Sequence, residues 1–378
     1  MQFWAGRPIM LGLVGDSGAG KSTLSNGCVT ILGADRVTDI CLDDYHSLDR
    51  VGRAAKNITT LHPDCNHLDL ISQHMRLLRS GQRVFKPVYD HSDGTFGPPE
   101  FALPRDIVLV HGLHPLYTPQ LRSQWDVSVF LDPDPELRID WKIKRDTSKR
   151  GYTRAEVEKQ LEDRRHDSEA YVMPQREKAD IVISFYPSAK YRATKDSTKL
   201  NVRITLRHPI PLPDLEAAFT ATAEQNGEPY LRLHRGAEGT DCLEISGAIT
   251  DEATQAIEQR MWNHMPTARH LRSDRVGVFM DGDVERRSNP LAVTQLVLTY
   301  YLVKTMALVL KQEQLRLDAA AAGPNYGRSV RCANGRSGSA VMFRCDPARP
   351  PGRRRPSGAA RHDEEIWGGI VGTYGLFI

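Results

Sequence analysis

Short apolar runs alternate with stretches of helical spacing over the first half of the chain. The runs are rich in β-branched residues and short enough for buried parallel strands, and they lie at residues 9–14, 37–42, 107–110, 127–131 and 181–185. Between them, apolar residues recur with helical spacing at 22–32, 68–79 and 135–145. This alternation predicts βαβ units, and therefore an α/β fold with a parallel sheet flanked by helices.

The pattern changes at about residue 195. Beyond it, alternation typical of antiparallel strands and then helical spacing are found at residues 201–207, 230–233, 242–246, 251–265 and 291–315. We therefore expect a first domain over residues 1–195 and a smaller α+β extension over 196–322. Residues 323–378 are rich in Gly, Arg, Ser and Pro and have no apolar periodicity, which predicts a basic, disordered tail.

Composition and charge indicate which kinds of binding partner to expect. The chain has 378 residues, of which 40% are hydrophobic and 26% charged, as in globular proteins with one large or two smaller cores. The formal net charge of +3 is too small to favour nucleic acid or an anionic membrane, because both bind through a dense surplus of Lys and Arg. We expect neither as a partner, whereas a small anionic molecule stays open.

Features of membrane and secreted proteins are weak in this sequence. Residues 291–310 are long enough to cross a membrane, but they contain Thr294, Gln295 and Lys304, so we expect a buried or subunit-interface helix. The six cysteines are scattered without metal-ligand spacing, which predicts reduced thiols and neither a zinc site nor a disulfide framework. Since no signal-peptide pattern opens the sequence, we expect a cytoplasmic protein.

A phosphate-binding motif follows the first predicted strand. Residues 15–22 read Gly-Asp-Ser-Gly-Ala-Gly-Lys-Ser, which fits GxxxxGK[ST] between a strand and a helix. Glycines let backbone N–H groups surround an anion, Lys21 would reach the terminal phosphates, and the Ser22 hydroxyl would bind Mg²⁺. We expect ATP and Mg²⁺ as cofactors, with the nucleotide held by Gly15, Asp16, Ser17, Gly18, Ala19, Gly20, Lys21, Ser22 and Thr23.

Acidic and cationic residues follow the second predicted strand, where residues 41–50 read Cys-Leu-Asp-Asp-Tyr-His-Ser-Leu-Asp-Arg. Loops at the carboxyl ends of parallel strands commonly bind substrates. A carboxylate there can act as a base or a metal ligand, while His46 and Arg50 can donate to an acceptor phosphate. Without other support, these residues would also fit a capped turn with surface charges.

Together these stretches resemble the phosphoribulokinase family, in the form closer to plant and cyanobacterial enzymes. Further support comes from Thr-Thr-Leu-His-Pro-Asp-Cys-Asn at 59–66, Lys-Pro-Val-Tyr-Asp-His at 86–91, Pro-Pro-Glu at 98–100, Gly-Leu-His-Pro-Leu-Tyr at 112–117, Trp-Lys-Ile-Lys-Arg-Asp at 141–146 and Arg-Gly-Tyr at 150–152. The resemblance covers about residues 9–190. It implies a P-loop NTPase-type fold, a homo-oligomer, and ATP-dependent phosphorylation of ribulose 5-phosphate to ribulose 1,5-bisphosphate, the CO₂ acceptor of the Calvin cycle.

The resemblance also implies roles for individual residues. Asp43 matches the family's catalytic base, and we expect it to bind the metal together with Ser22. Catalytic roles are thereby expected for Lys21, Asp43, Arg145 and Asp146. Substrate contacts are expected for His46, Arg50, Tyr89, His91, Lys142 and Arg150. Without the resemblance, residues 142–150 would also fit an ordinary charged helix end.

Two positions depart from the family pattern. The family has Glu just before the Gly-Leu-His-Pro run, where it binds Mg²⁺, and this chain has His111, a poor ligand for that cation. Photosynthetic relatives also pair a cysteine in the P-loop with one before the Asp-Asp-Tyr-His stretch. Here Cys41 is present but Ala19 replaces its partner, so that disulfide switch cannot form.

Three functions therefore stay open. The first is phosphorylation of ribulose 5-phosphate. The second is a kinase for another pentose phosphate or for a nucleoside, as in uridine kinases; a nucleoside would need no cationic pocket, so His46, Arg50 and the cations at 142–150 favour a sugar phosphate. The third is a nucleotide-binding protein without catalysis, which His111 suggests and which the retained Lys21, Ser22 and Asp43 oppose.

Overall fold

An eight-stranded sheet organises the residues that the computed structural model describes, which are 7–207, 229–236, 240–265, 268 and 273–321. Including two separate hairpins, the strands are β1 (Ile9–Gly15), β2 (Val37–Cys41), β3 (Val84–Asp90), β4 (Thr95–Ala102), β5 (Ile107–Gly112), β6 (Val127–Leu131), β7 (Ile181–Pro187), β8 (Leu200–Leu206), β9 (Leu231–Arg235), β10 (Asp241–Ile245), β11 (Val278–Asp281) and β12 (Val284–Arg287). The predicted tail at 323–378 lies outside the described residues.

The sheet has a parallel half and an antiparallel half. Strands β2, β5, β1, β6 and β7 are parallel neighbours in that order, and β8, β10 and β9 continue the sheet in antiparallel fashion. Hairpins β3–β4 and β11–β12 stand apart from it. The predicted α/β fold with a parallel sheet is thus confirmed. The strands beyond residue 195 extend the same sheet. The predicted boundary between two domains at residue 195 stays a prediction.

Helices cover both faces of the sheet. They are α1 (Lys21–Leu32), α2 (Arg50–Lys56), α3 (Leu68–Arg79), α4 (Pro119–Arg122), α5 (Pro135–Lys149), α6 (Arg154–Asp167), α7 (Ala189–Thr194), α8 (Asp251–Asn263) and α9 (Asn289–Ala321). Local sequence explains several helix ends. Gly33 follows α1 at φ 94° and donates its N–H to the carbonyl of Val29, and Thr153 and Glu156 form a capping box at the start of α6.

Alternation along β1 divides the core between the two faces. Ile9, Leu11 and Leu13 are buried against one cluster that includes α1, α8 and α9, whereas Met10 is buried against a second cluster that includes α3. All seven residues of β1 are buried, as expected for a central parallel strand covered on both sides. The carboxyl end of β1 is therefore held rigidly where the P-loop begins.

Helix α9 is a core element of this fold. By length and composition it is the one helix among the described residues that could cross a membrane, but 72% of its apolar window is buried inside the protein. Thr294 and Thr299 satisfy their buried hydroxyls by donating to the carbonyls of Pro290 and Gln295 one turn earlier. The expectation of a buried helix agrees with this packing.

Shortening a buried α9 side chain should therefore destabilise the whole fold. Leu296 is fully buried, so Leu296→Ala should lower the free energy of unfolding by about 2–5 kcal/mol, measured by urea denaturation. Leu308 lies on the same helix but is 46% exposed, and Leu308→Ala should cost less than about 1 kcal/mol. Equal effects of the two variants would show that α9 does not pack as described.

Candidate active site

A cavity of about 950 Å³ opens at the carboxyl ends of the parallel strands. Its walls come from the P-loop, the turn after β2, the ends of α5 and α6, and the β11–β12 hairpin. Parallel strands of an α/β sheet place their carboxyl ends at one edge, where ligands bind. The cavity therefore brings together the two motifs that the sequence predicts as functional.

The P-loop has the backbone conformation that its glycines predict. Gly18 and Gly20 have φ values of 85° and 94°, which non-glycine residues rarely adopt. A Cβ on Gly18 would also lie 2.8 Å from the Cβ of Lys142, so α5 packs directly on the loop. The Lys21 ammonium donates to the carbonyls of Gly15 at 2.8 Å and Asp16 at 3.0 Å. Burial lowers the pKa of Lys21.

Asp16 anchors the P-loop to the rest of the site. Its carboxylate accepts the Ser168 hydroxyl at 2.6 Å and lies 3.1 Å from the guanidinium of Arg138. Asp16 is 4% exposed and does not line the cavity. It was predicted to bind nucleotide, and these contacts give it a structural part in holding the loop.

The two aspartates after β2 have different surroundings. They lie on a 3₁₀ turn (Leu42–Tyr45), where Asp43 lines the cavity. Asp44 instead accepts the Lys86 ammonium at 2.7 Å and the backbone N–H of Tyr89 at 3.0 Å, and so attaches β3 to this turn. Of the pair, Asp43 is thus the carboxylate available to a ligand.

Cationic neighbours control the charge of Asp43. Burial by itself raises the pKa of this carboxyl, but at the acidic pH where Asp43 titrates the positive charges of His46 and Lys21, followed by those of His91 and His111, lower the pKa to about 2. Burial lowers the pKa of His46, so this imidazole is neutral at neutral pH. Asp43 is then an ionised carboxylate that faces Lys21 across the cavity.

Residues predicted to bind a sugar phosphate form one side of the cavity. His46 is buried, with Nδ1 2.9 Å from the amide oxygen of Asn66 and its ring 5.0 Å from that of Tyr89. Arg50 donates to the carbonyl of His91 at 3.0 Å, and the His91 imidazole lies 3.7 Å from Asp43. The structure thus brings His46, Arg50, Tyr89 and His91 together with the predicted base.

The charged segment of α5 has a buried centre. Lys142 and Asp146 form an ion pair of 2.5 Å with both side chains 1% exposed, and neither lines the cavity. Asp146 also accepts from Arg145 at 2.8 Å and lies 3.5 Å from Arg150, and both arginines do line the cavity. Burial lowers the pKa of Lys142 to about 8. The direct catalytic role of Asp146 stays a prediction, and its contacts are those of a positioning residue.

Arg53 and Arg164 also line the cavity and were not predicted as site residues. Arg53 holds the Tyr89 side chain in place, since it donates to the Tyr89 hydroxyl at 2.6 Å. Arg164, on α6, lines the cavity, and its guanidinium has no hydrogen-bond or ion-pair partner in the described part of the chain. One η nitrogen of Arg145 is likewise buried without a partner there. No sequence pattern predicted Arg164 as a site residue. Its place in the cavity depends on which face of α6 the tertiary fold turns inward.

Oxygen donors for a cation are present but sparse. The Ser22 hydroxyl and the Asp43 carboxylate line the cavity, and no group of three His, Cys, Asp or Glu side chains that could hold a metal is found within the described ranges. His111 is the next-to-last residue of β5 and lines the same cavity. Burial lowers the pKa of His111, which favours a neutral imidazole. The cysteines of the described segments, including Cys41 in the cavity wall, are free.

The parallel sheet and the loop at the end of its central strand define a P-loop α/β protein. The model of the phosphoribulokinase / uridine kinase family matches residues 10–191. The phosphoribulokinase of Synechocystis sp. is 42% identical over 198 residues, which cover 52% of this chain and 59% of the relative. The uridine kinase of Chloroflexus aggregans is 32% identical over 189 residues, covering 48% of this chain and 88% of the relative. The chain belongs to the phosphoribulokinase / uridine kinase family.

The fold likeness extends beyond the segment that the family model matches. The solved phosphoribulokinase from Rhodobacter spheroides is 18% identical with a TM-score of 0.51, and the alignment covers 71% of this chain and 99% of that structure. The chain spans little more than half the length of the Synechocystis phosphoribulokinase. The family and the fold are thus shown.

The buried pair on α5 should be important for stability. Asp146→Asn leaves the Lys142 ammonium without its counter-charge and should lower the free energy of unfolding by about 3–5 kcal/mol at neutral pH. The pKa of Asp146 lies below its ordinary value of 3.8, so its contribution is present above that pH and is lost as the pH falls through the folded-state pKa. Urea denaturation at several pH values measures this dependence.

Helix α6 supplies a matched control with the same i,i+4 spacing. Lys159 and Asp163 pair at 2.7 Å with side chains 76% and 54% exposed. Asp163→Asn should change stability by less than about 0.5 kcal/mol. Similar losses for both variants would mean that burial of the Lys142–Asp146 pair has no special effect.

Proposed function

We propose that this protein is an ATP-dependent kinase that phosphorylates a hydroxyl of a sugar phosphate, with ribulose 5-phosphate as the acceptor. The observation that carries the proposal is the cavity in which the P-loop, the ionised carboxylate of Asp43 and a group of arginines meet. Phosphoryl transfer needs these three elements, since its catalysis consists of positioning the reactants and stabilising charge.

The nucleotide would occupy the P-loop end of the cavity. Backbone N–H groups at residues 17–22 and the start of α1 would bind its phosphates, with Lys21 leaving the P-loop carbonyls to reach the terminal phosphate. Trp141, Phe185 and Leu291 line the same cavity and offer an apolar surface for the base. The rings of Trp141 and Phe185 are 6.1 Å apart, edge to face. Such a surface suits a flat heterocycle.

Asp43 is proposed as the general base. Its carboxylate would take the acceptor hydroxyl's proton as the oxygen attacks the γ-phosphate, while Lys21 and Arg145 stabilise charge on the transferring group. A pKa of about 2 makes Asp43 a weak base in the free protein. Two bound anions would offset the surrounding positive charge and raise that pKa, which makes the base stronger when both substrates are present.

Magnesium would be held by Ser22 and Asp43, whose oxygen donors suit this hard cation. Bound Mg²⁺ supplies neutralisation of charge on the phosphates during transfer. Retention of both residues, together with Lys21, opposes a protein that only binds nucleotide. His111 is the residue that favours the alternative of nucleotide binding without catalysis.

An anionic acceptor fits the cationic part of the cavity wall. His46, Arg50, Arg150 and Arg164 line the cavity, and the guanidinium of Arg164 is without a partner among the described residues. Arginines bind phosphate by paired hydrogen bonds, whereas an uncharged nucleoside would leave these cations unneutralised. This favours the acceptor named by the phosphoribulokinase relatives over the one named by the uridine kinase relative. We further propose a homo-oligomer that acts in the cytoplasm without nucleic-acid or membrane partners.

Turnover by the purified protein tests the acceptor directly. With ATP and Mg²⁺, ribulose 5-phosphate should be consumed at a rate well above those of ribose 5-phosphate and uridine, measured by ADP release. Asp43→Asn should lower kcat by about 10²–10⁴-fold while the Kd for ATP measured without Mg²⁺ changes little, because the carboxylate acts on the acceptor and the metal and not on the nucleotide itself. Preference for uridine, or near-normal turnover by the variant, would contradict the proposal.

Neighbouring arginines on α6 allow a paired test of the phosphate site. Arg164→Gln should raise KM for the sugar phosphate by about 10–100-fold, the value expected for a lost charge-assisted hydrogen bond. Arg165 is 65% exposed and pairs with Glu162 at the surface, so Arg165→Gln should leave KM within about twofold. A KM for the acceptor that is unchanged in Arg164→Gln would remove this residue from the acceptor site.

A further inference from the structure

A carboxylate lies beside His111 on the neighbouring strand. Strands β2 and β5 pair Cys41 with His111 and Asp39 with Leu109, so the side chains of Asp39 and His111 point to the same face of the sheet. Oδ1 of Asp39 lies 3.6 Å from Nε2 of His111 and accepts the Ser25 hydroxyl at 3.0 Å. Nε2 of His111 thus lies beside a fixed negative charge, at ion-pair distance.

The other ring nitrogen of His111 is free to bind a ligand. When a carboxylate keeps the proton of a neutral imidazole on Nε2, the lone pair stays on Nδ1. His111 lines the cavity with Ser22 and Asp43, and within the described segments its Nδ1 has no hydrogen-bonding partner. Such an imidazole offers an electron pair to the same space in which the nucleotide phosphates are proposed to bind.

A histidine with a carboxylate behind one nitrogen is the usual arrangement of a metal-ligating imidazole, in which the carboxylate fixes the tautomer and the ring orientation. We propose that His111 ligates the divalent cation of the nucleotide site through Nδ1, with Asp39 as its positioning residue. The site then favours a cation that accepts nitrogen, such as Mn²⁺, over Mg²⁺. This inference rests on the proposed nucleotide-binding function.

Donor chemistry explains the preference. Ser22 and Asp43 provide oxygen atoms, which Mg²⁺ and Mn²⁺ both accept. An imidazole nitrogen adds much less for Mg²⁺, which demands oxygen ligands and gives up its waters reluctantly. First-row transition ions bind imidazole more readily. A nitrogen donor at His111 beside the Asp43 carboxylate thus shifts the preference of the site toward cations that accept nitrogen.

Pulsed EPR can observe the metal–nitrogen bond directly. Full-length protein containing ¹⁵N-histidine is loaded with Mn²⁺ and the methylene analogue of ATP, which has no nitrogen in its phosphate chain. Coupling of Mn²⁺ to ¹⁵N is expected in the unmodified protein, and it should disappear in His111→Gln. It should persist in His91→Gln, since His91 lines the same cavity but lies against Asp43. Absence of ¹⁵N coupling in the unmodified protein, or its loss in His91→Gln alone, would overturn the assignment.

Metal affinity tests the positioning role and the preference. Calorimetry with the same analogue should show tighter binding of Mn²⁺ than of Mg²⁺, and His111→Glu should reduce the ratio of the Mn²⁺ affinity to the Mg²⁺ affinity by about 10-fold. Asp39→Asn should weaken Mn²⁺ binding by about 10–100-fold while the Kd for Mg²⁺ changes little. If Asp39 and His111 form only a structural ion pair, Asp39→Asn will lower stability and leave both affinities unchanged, which would refute the proposal.

These measurements use no acceptor, so they separate this inference from the kinase proposal. Nitrogen coupling without turnover on any acceptor would support the metal assignment and contradict the kinase. Turnover of ribulose 5-phosphate without nitrogen coupling would do the reverse.

Discussion

The buried ion pair between Lys142 and Asp146 is the interaction on which the geometry of the site depends. It fixes α5 where the helix touches the P-loop, with the Cβ of Lys142 against the space that only a glycine at position 18 leaves open. Asp146 at the same time holds Arg145 and Arg150. A single carboxylate thus orders two cavity arginines relative to the phosphate loop, and it does so without facing the ligand itself.

Charge in the cavity is unbalanced, and this imbalance is what suits it to two anions. Asp43 is the carboxylate that faces several cations, and their combined field lowers its pKa to about 2. In an empty cavity the cations repel one another, whereas in a cavity filled by phosphates they attract the bound anions. The low-dielectric walls strengthen both the repulsion and the attraction. The surplus cations thereby select anionic ligands, and filling the cavity also raises the basicity of Asp43.

Much of this arrangement could be predicted from sequence, because local patterns determine it. The P-loop glycines, the strand before them and the glycine after α1 lie within about twenty residues of one another, and each was located within one or two residues. The β3–β4 hairpin was missed, since β4 is largely exposed and β3 mixes buried with exposed positions, so neither strand has the continuous buried apolar run that predicts a strand. Arg164 and Asp39 were missed for a different reason. Their roles depend on which strand or helix lies beside them, and a single sequence does not specify strand order.

The second half of the chain helps to build the site although the family match ends at residue 191. A Cβ on Gly27 of α1 would lie 2.0 Å from the amide nitrogen of Gln295, so α9 packs against the helix that begins at the P-loop. The β11–β12 hairpin adds a wall to the cavity, and its Asp281 accepts from Lys144 of α5 and from Ser197 at 2.8 Å. Contacts of this kind can position a nucleotide base while the chemistry stays on the parallel strands. Sequence divergence beyond residue 191 would then alter how the nucleotide is enclosed and leave the phosphate loop and Asp43 unchanged.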